Sequence, residues 1–94
     1  MREDYSRRGT VRRSAVALDR DVADQLVILN TQTEQYYTVN RVGAEIWHLL
    51  DGSRDFEAIL AVLCTRYDVP EEELRADLGE LLDGLTAHGL VEWM

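Results

Sequence analysis

The sequence predicts an α+β domain in which a three-stranded antiparallel sheet packs on three helices. Three observations carry this expectation. Gln25–Asn30 and Gln35–Val39 are rich in β-branched and aromatic residues, and only the polar Thr31-Gln-Thr-Glu connection separates them, which favours antiparallel pairing. Beyond Asn40, apolar residues recur at helical spacing in three stretches, each bounded by a cap or a stop. The chain has 94 residues, 46% hydrophobic and 30% charged, which suits one modest core and neither a disordered nor a membrane-embedded chain.

Taken in order, residues 1–12 (MREDYSRRGTVR) are polar, show no period and read as a flexible tail, leaving 13–94 as the domain. Ala15-Val16-Ala17-Leu18 is the first short strand, and the alternating charges of Asp19 to Asp24 form a turn. Gln25–Asn30 and Gln35–Val39 are the second and third strands. Side-chain alternation puts Gln35, Tyr37 and Val39 on one face, Tyr36 and Thr38 on the other.

Asn40 caps the first helix, whose apolar positions are Val42, Ile46, Leu49 and Leu50, and Asp51-Gly52 stops it. Asp55 caps the second, with a stripe of Phe56, Ile59, Leu60, Leu63 and Tyr67. Pro70 opens the third at its first helical position, followed by three glutamates that suit the positive end of the helix dipole. Its stripe is Leu74, Leu78, Leu81, Leu82 and Leu85, and Gly89 is the stop. Leu90 to Trp93 is an apolar coda, either a short strand or an extension packed on the core.

The formal charge of −8 is unevenly spread. Residues 1–20 hold six Arg against three acids, whereas residues 71–92 hold seven acids against Arg75 alone. An acidic C-terminal helix repels phosphate backbones and suits a cationic partner, or is simply a solvated face. No apolar run approaches a membrane span, and the N-terminus lacks the greasy segment of a secretory signal. A single cysteine, Cys64, excludes an internal disulfide and a multi-cysteine zinc site, and fits a cytoplasmic protein.

No catalytic residue stands out. Glu45-x-x-His48 places two potential ligands on one helix face, but carboxylate-bridged sites need two such motifs and further Glu ligands, so no metal is expected. His88 suits the negative end of the third helix dipole. Cys64, Ser14 and Ser53 lack a nucleophile context, and there is no phosphate-binding glycine pattern. Three short-linked helices beside a sheet also resemble a winged helix-turn-helix, yet the third helix carries six acids and one Arg between Glu71 and Asp83. Duplex affinity depends on cations that neutralise phosphates, so nucleic-acid binding loses.

The tyrosine pair is the remaining signal. Its strand is the last of the meander, and nothing downstream offers an obvious strand to cover it. An open edge can capture an extended peptide by β-augmentation, with the third helix as the opposite wall. For either ring taken alone, an ordinary sheet residue is the better explanation, and the position of the strand is what favours a functional reading.

Tyr36-Tyr-Thr-Val-Asn40, Gly43-Ala-Glu-Ile-Trp47, Leu50-Asp-Gly52, Tyr67-Asp-Val69 and Asp77 through Gly89-Leu-Val91 resemble PqqD-like proteins. These are leader-recognition elements of ribosomally made, post-translationally modified peptides, and the resemblance spans roughly residues 14–92. It is strongest to the free-standing lasso-peptide branch, with the pyrroloquinoline quinone branch as runner-up. The resemblance implies a non-catalytic, cofactor-free domain that binds a precursor leader peptide as an added strand and delivers it to a leader-cleaving cysteine protease. Leaders in that branch tend to carry a Tyr-x-x-Pro-x-Leu pattern. The implied backbone-pairing residues are Gln35, Tyr36, Tyr37, Thr38 and Val39, with Tyr37 and Val39 lining pockets. Leu74, Leu78, Leu81 and Leu82 are candidates for the opposite wall, most of them spent on the core, and Asp77 could meet a basic leader residue. Val39 stands where many relatives have Leu. Trp47 and Trp93 remain open between core and protease docking. The rivals are a winged-helix transcriptional regulator and a structural subunit that self-associates through its edge.

Overall fold

The computed structural model describes residues 9–94. The expected meander is present. Strands β2 (Ala17–Val22), β3 (Gln25–Asn30) and β4 (Gln35–Val39) pair antiparallel in that order, in register from Ala17↔Asn30 to Val22↔Gln25 and from Leu26↔Val39 to Asn30↔Gln35. β3 alternates as the pleat demands, burying Leu26, Ile28 and Asn30 on the inner face.

β2 runs later than expected. Ala15 and Val16 form a turn, with the Ala17 amide donating to the Ser14 carbonyl at 3.1 Å, and the strand continues through the charged Asp19-Arg20-Asp21. The reversal is left to Ala23 and Asp24 alone, with Ala23 at φ 56°. Charge does not exclude a strand here because β2 is an edge, where charged side chains stay in water.

The tail expectation fails for its last residues. Residues 1–8 lie outside the described residues, but Thr10–Arg13 forms strand β1. It lies between β5 (Asp51–Asp55), a strand the local pattern did not announce, and β6 (Val91–Trp93), which takes the strand alternative offered for the apolar coda, and the three make a second antiparallel sheet. Val11 is fully buried, and Arg13 Nη1 donates to the Trp47 carbonyl at 3.0 Å. Asp51-Gly52 thus opens a strand rather than a simple stop.

Helix α1 (Arg41–Leu49) starts where Asn40 Oδ1 accepts the Gly43 amide at 2.9 Å, and buries Ile46, Trp47 and Leu49. α2 (Phe56–Arg66) is capped by Asp55 Oδ1 on the Ala58 amide at 2.9 Å, and buries Phe56, Ile59, Leu60 and Leu63. α3 (Glu71–Ala87) has Pro70 as its N-cap rather than its first helical residue, so it begins one position later than expected, and it ends before Gly89. Its buried leucines join those of α1, α2 and the inner face of the meander in one core. Each fully buried leucine contributes about 1.5–3 kcal/mol over exposure. Among the described residues no helix is long and apolar enough to cross a membrane.

Trp47 belongs to the core at 1% exposure, its Nε1 donating to Asp19 Oδ2 at 2.7 Å. Trp93 is half-buried, with Nε1 donating to Thr86 Oγ1 at 3.3 Å.

Candidate functional site

Between β4 and α3 lies a groove of about 440 Å³. Alternation along β4 turns Tyr37 and Val39 inward, while Gln35, Tyr36 and Thr38 are exposed. Tyr37 and Val39 form one wall, Asp77, Glu80 and Leu81 the other, and Val42, Gly43 and Ile46 of α1 close the end. A Cβ on Gly43 would sit 2.8 Å from Val39 Cβ, so this glycine lets the end of β4 lie flat against α1.

Tyr37 is fixed from the other side. Its ring stacks obliquely on His88, centroids 4.9 Å apart at 55°, and its hydroxyl end fills the space that a Cβ on Gly84 would need. His88 is held in turn, with Nδ1 2.8 Å from the Gly84 carbonyl. Asn30 ties the hairpin to the same helix end: Nδ2 donates to the His88 carbonyl at 2.8 Å, while Oδ1 accepts from the Gln32 and Thr33 amides. The wall carrying β4 is therefore anchored before any ligand arrives.

The leucine stripe divides as helical spacing requires. Leu74, Leu78 and Leu82 are 5%, 0% and 0% exposed and lie in the core, whereas Leu81 is half-buried and faces the groove. Asp77 lines the groove as well. Glu80, Val42, Gly43, Ile46 and Gly84 had not been singled out as site residues, although Asp77, Glu80, Leu81 and Gly84 fall on one helical face at i, i+3, i+4 and i+7.

β4 ends its sheet, so its outer backbone edge has no partner strand among the described residues. The sheet's other edge, β2, carries Asp19, Arg20 and Asp21, charges that discourage strand addition. β4 carries Gln-Tyr-Tyr-Thr-Val, with no charge at all. Among the described residues, of the meander's two edges only this one is unguarded, and it opens onto a groove.

The remaining candidates do not gather into a site among the described residues. Glu45 accepts from Arg66 at 3.1 Å and from the Tyr67 hydroxyl, a bond that, with burial, raises the pKa of that phenol above its ordinary value. His48 and Cys64 are exposed, and no group of three potential ligands gathers around a metal position among the described residues.

The family model for coenzyme PQQ synthesis protein D (PqqD) matches residues 25–91, most of the chain. The chain belongs to the PqqD family. Among solved structures, TbiB1 in complex with the TbiA(beta) leader peptide is similar at TM-score 0.75 and 30% identity, covering 86% of this chain and 94% of that one. Lasso peptide synthetase B1 complexed with the leader peptide is similar at TM-score 0.76 and 18% identity, covering 89% and 99%, a likeness of fold. No curated protein matches the chain. In this PqqD-family domain the β4–α3 groove and the open β4 edge are the features that could accept an extended chain.

Proposed function

We propose that this chain binds the leader segment of a precursor peptide in lasso-peptide biosynthesis, as an added strand on β4, and passes it to a leader-cleaving cysteine protease without catalysing a reaction itself. The observation that carries the reading is the uncharged open edge of β4 beside the groove. The 30% identical TbiB1, solved with a leader peptide, supports it. The proposed setting is the cytoplasm, in keeping with the lone cysteine.

Backbone pairing supplies the geometry but not enough energy. Ordering five ligand residues opposite the five of β4 costs about 5–10 kcal/mol. The new hydrogen bonds return about 0.5–1.5 kcal/mol each. Apolar side chains must therefore be buried against Tyr37, Val39 and Leu81, at about 1.5–3 kcal/mol apiece. In this reading Gln35 to Val39 pair with the leader, Asp77 meets a basic leader residue, and Leu74, Leu78 and Leu82 hold α3 in place from the core.

The test is anisotropy of a labelled leader from a precursor encoded beside this chain. Saturable binding that weakens in a folded Leu81→Ser variant is expected. A folded wild-type protein that ignores an authentic leader would overturn the proposal. The family description favours one second reading, a peptide chaperone in pyrroloquinoline quinone biosynthesis. Competition between the two kinds of leader for the same groove separates them.

A further inference from the structure

The outer face of the meander, opposite the groove, is unexpectedly apolar. Leu18, Val22 and Tyr36 are 61%, 50% and 64% exposed, and with Val27 and Leu29 they line a shallow depression of about 520 Å³. Singly exposed hydrophobic side chains need no explanation, but a contiguous group does. The register gives the group its form. Leu18, Leu29 and Tyr36 lie directly opposite one another, an apolar row across all three strands that ends at the open edge. The next row, Arg20, Val27 and Thr38, ends on a polar side chain.

We propose that Tyr36, backed by Leu29, is a second specificity subsite that takes an apolar side chain of the bound peptide on the face away from the groove. The inference rests on strand addition at β4. A strand added there must alternate, so half of its side chains fall on the outer face, whichever direction it runs. The residue paired with Tyr36 comes within about 4.5–5.5 Å, Cβ to Cβ, and continues the row to a fourth strand. An apolar residue there covers the exposed ring, whereas the position facing Thr38 carries no such demand. The groove reads one parity of the peptide through Tyr37, Val39 and Leu81, and Tyr36 reads the other. Ligands should therefore carry an outward apolar residue an odd number of positions from their groove-facing ones.

The experiment uses the full chain and a displayed library of random linear peptides, selected in parallel on wild type, Tyr36→Thr and Leu81→Ser. Threonine keeps the strand preference of the site while removing the ring. Wild type should enrich peptides with two apolar positions at odd spacing. Tyr36→Thr should lose one preference and Leu81→Ser the other. A synthesised winner should bind Tyr36→Thr about 3- to 10-fold more weakly than wild type. Serine at its outward position should abolish that difference.

The same consensus on Tyr36→Thr as on wild type would overturn the subsite and leave strand addition standing. If wild type enriches no common motif, or Leu81→Ser changes nothing, strand addition itself falls and the subsite with it. Unchanged peptide affinity combined with a wild-type dimer that Tyr36→Thr renders monomeric in sedimentation would assign the face to a second copy instead. Unchanged affinity with impaired leader cleavage by the protease would assign it to protein docking. Either result overturns the proposal.

Discussion

The Tyr37 ring occupies the space that a side chain at Gly84 would need: a Cβ built on Gly84 would lie 2.7 Å from Cζ and 3.0 Å from Cε1 of that ring. A helix-interior glycine costs about 1 kcal/mol relative to alanine, so α3 gives up some helix stability where β4 approaches it. Gly84→Ala should therefore change global stability by less than about 1 kcal/mol, the helical gain offsetting the crowding. The displaced ring has the groove beside it. Leader affinity should fall about tenfold or more, which corresponds to at least about 1.4 kcal/mol. Urea melts alongside anisotropy titrations read both numbers, and unchanged affinity would show that the ring's position is immaterial.

Neighbouring leucines on α3 should behave in opposite ways. Leu78 is fully buried, so Leu78→Ala should cost about 2–5 kcal/mol and lower the urea midpoint sharply. Leu81 is half-buried in the groove wall, so Leu81→Ala should cost about 1 kcal/mol or less while weakening leader binding. Equal stability losses at the two positions would contradict this division of the stripe.

The Trp47 indole has one partner across the sheet, Asp19 Oδ2 at 2.7 Å. Asp19→Ala removes the acceptor while the ring stays in the core, which should cost about 1–3 kcal/mol. Asp19→Asn keeps an acceptor oxygen and should recover most of it. If the alanine variant melts like wild type, water has replaced the carboxylate.

These residues also show what the sequence could and could not convey. The β3–β4 hairpin, the Asn40 and Asp55 caps and the α3 stripe are local features, each written within a few consecutive residues, and all are present. The second sheet was hidden as a sheet, although a strand was one alternative for its last element, because its strands come from residues 10–13, 51–55 and 91–93, and Thr-Val-Arg-Arg has only Val11 to mark a buried face. Nothing in four such residues distinguishes a strand from a tail until distant partners arrive. Alternation placed Tyr37 and Val39 on one face of β4, whereas Asp77 and Leu81 entered as candidates through the family resemblance; all four line the groove. Gly84 escaped because a glycine has no side chain to assign to a face, and its role depends on a tyrosine from another element.

The second sheet should be the acid-sensitive part of the molecule. Across β1 and β6, Arg12 Nη2 donates to Glu92 Oε1 at 3.0 Å, and this pairing holds the Glu92 carboxyl below its ordinary pKa. In β5, the Ser53 hydroxyl and amide both donate to Asp51 Oδ1, which lowers that carboxyl as well. A carboxylate whose pKa is depressed by folding contributes stability above its unfolded value, and the contribution is lost as pH falls through the folded one. With ordinary values near 4, the loss should begin below about pH 4. Both groups are exposed and screened, so the effect is a local loosening rather than global unfolding. Amide resonances of Val11, Glu92 and Trp93 should shift and broaden on acidification before those of Leu26 and Ile28 in the meander. Glu92→Gln should remove most of the pH dependence at β6. A single transition shared by both sheets, unaffected by that substitution, would mean that these carboxylates do not hold the second sheet.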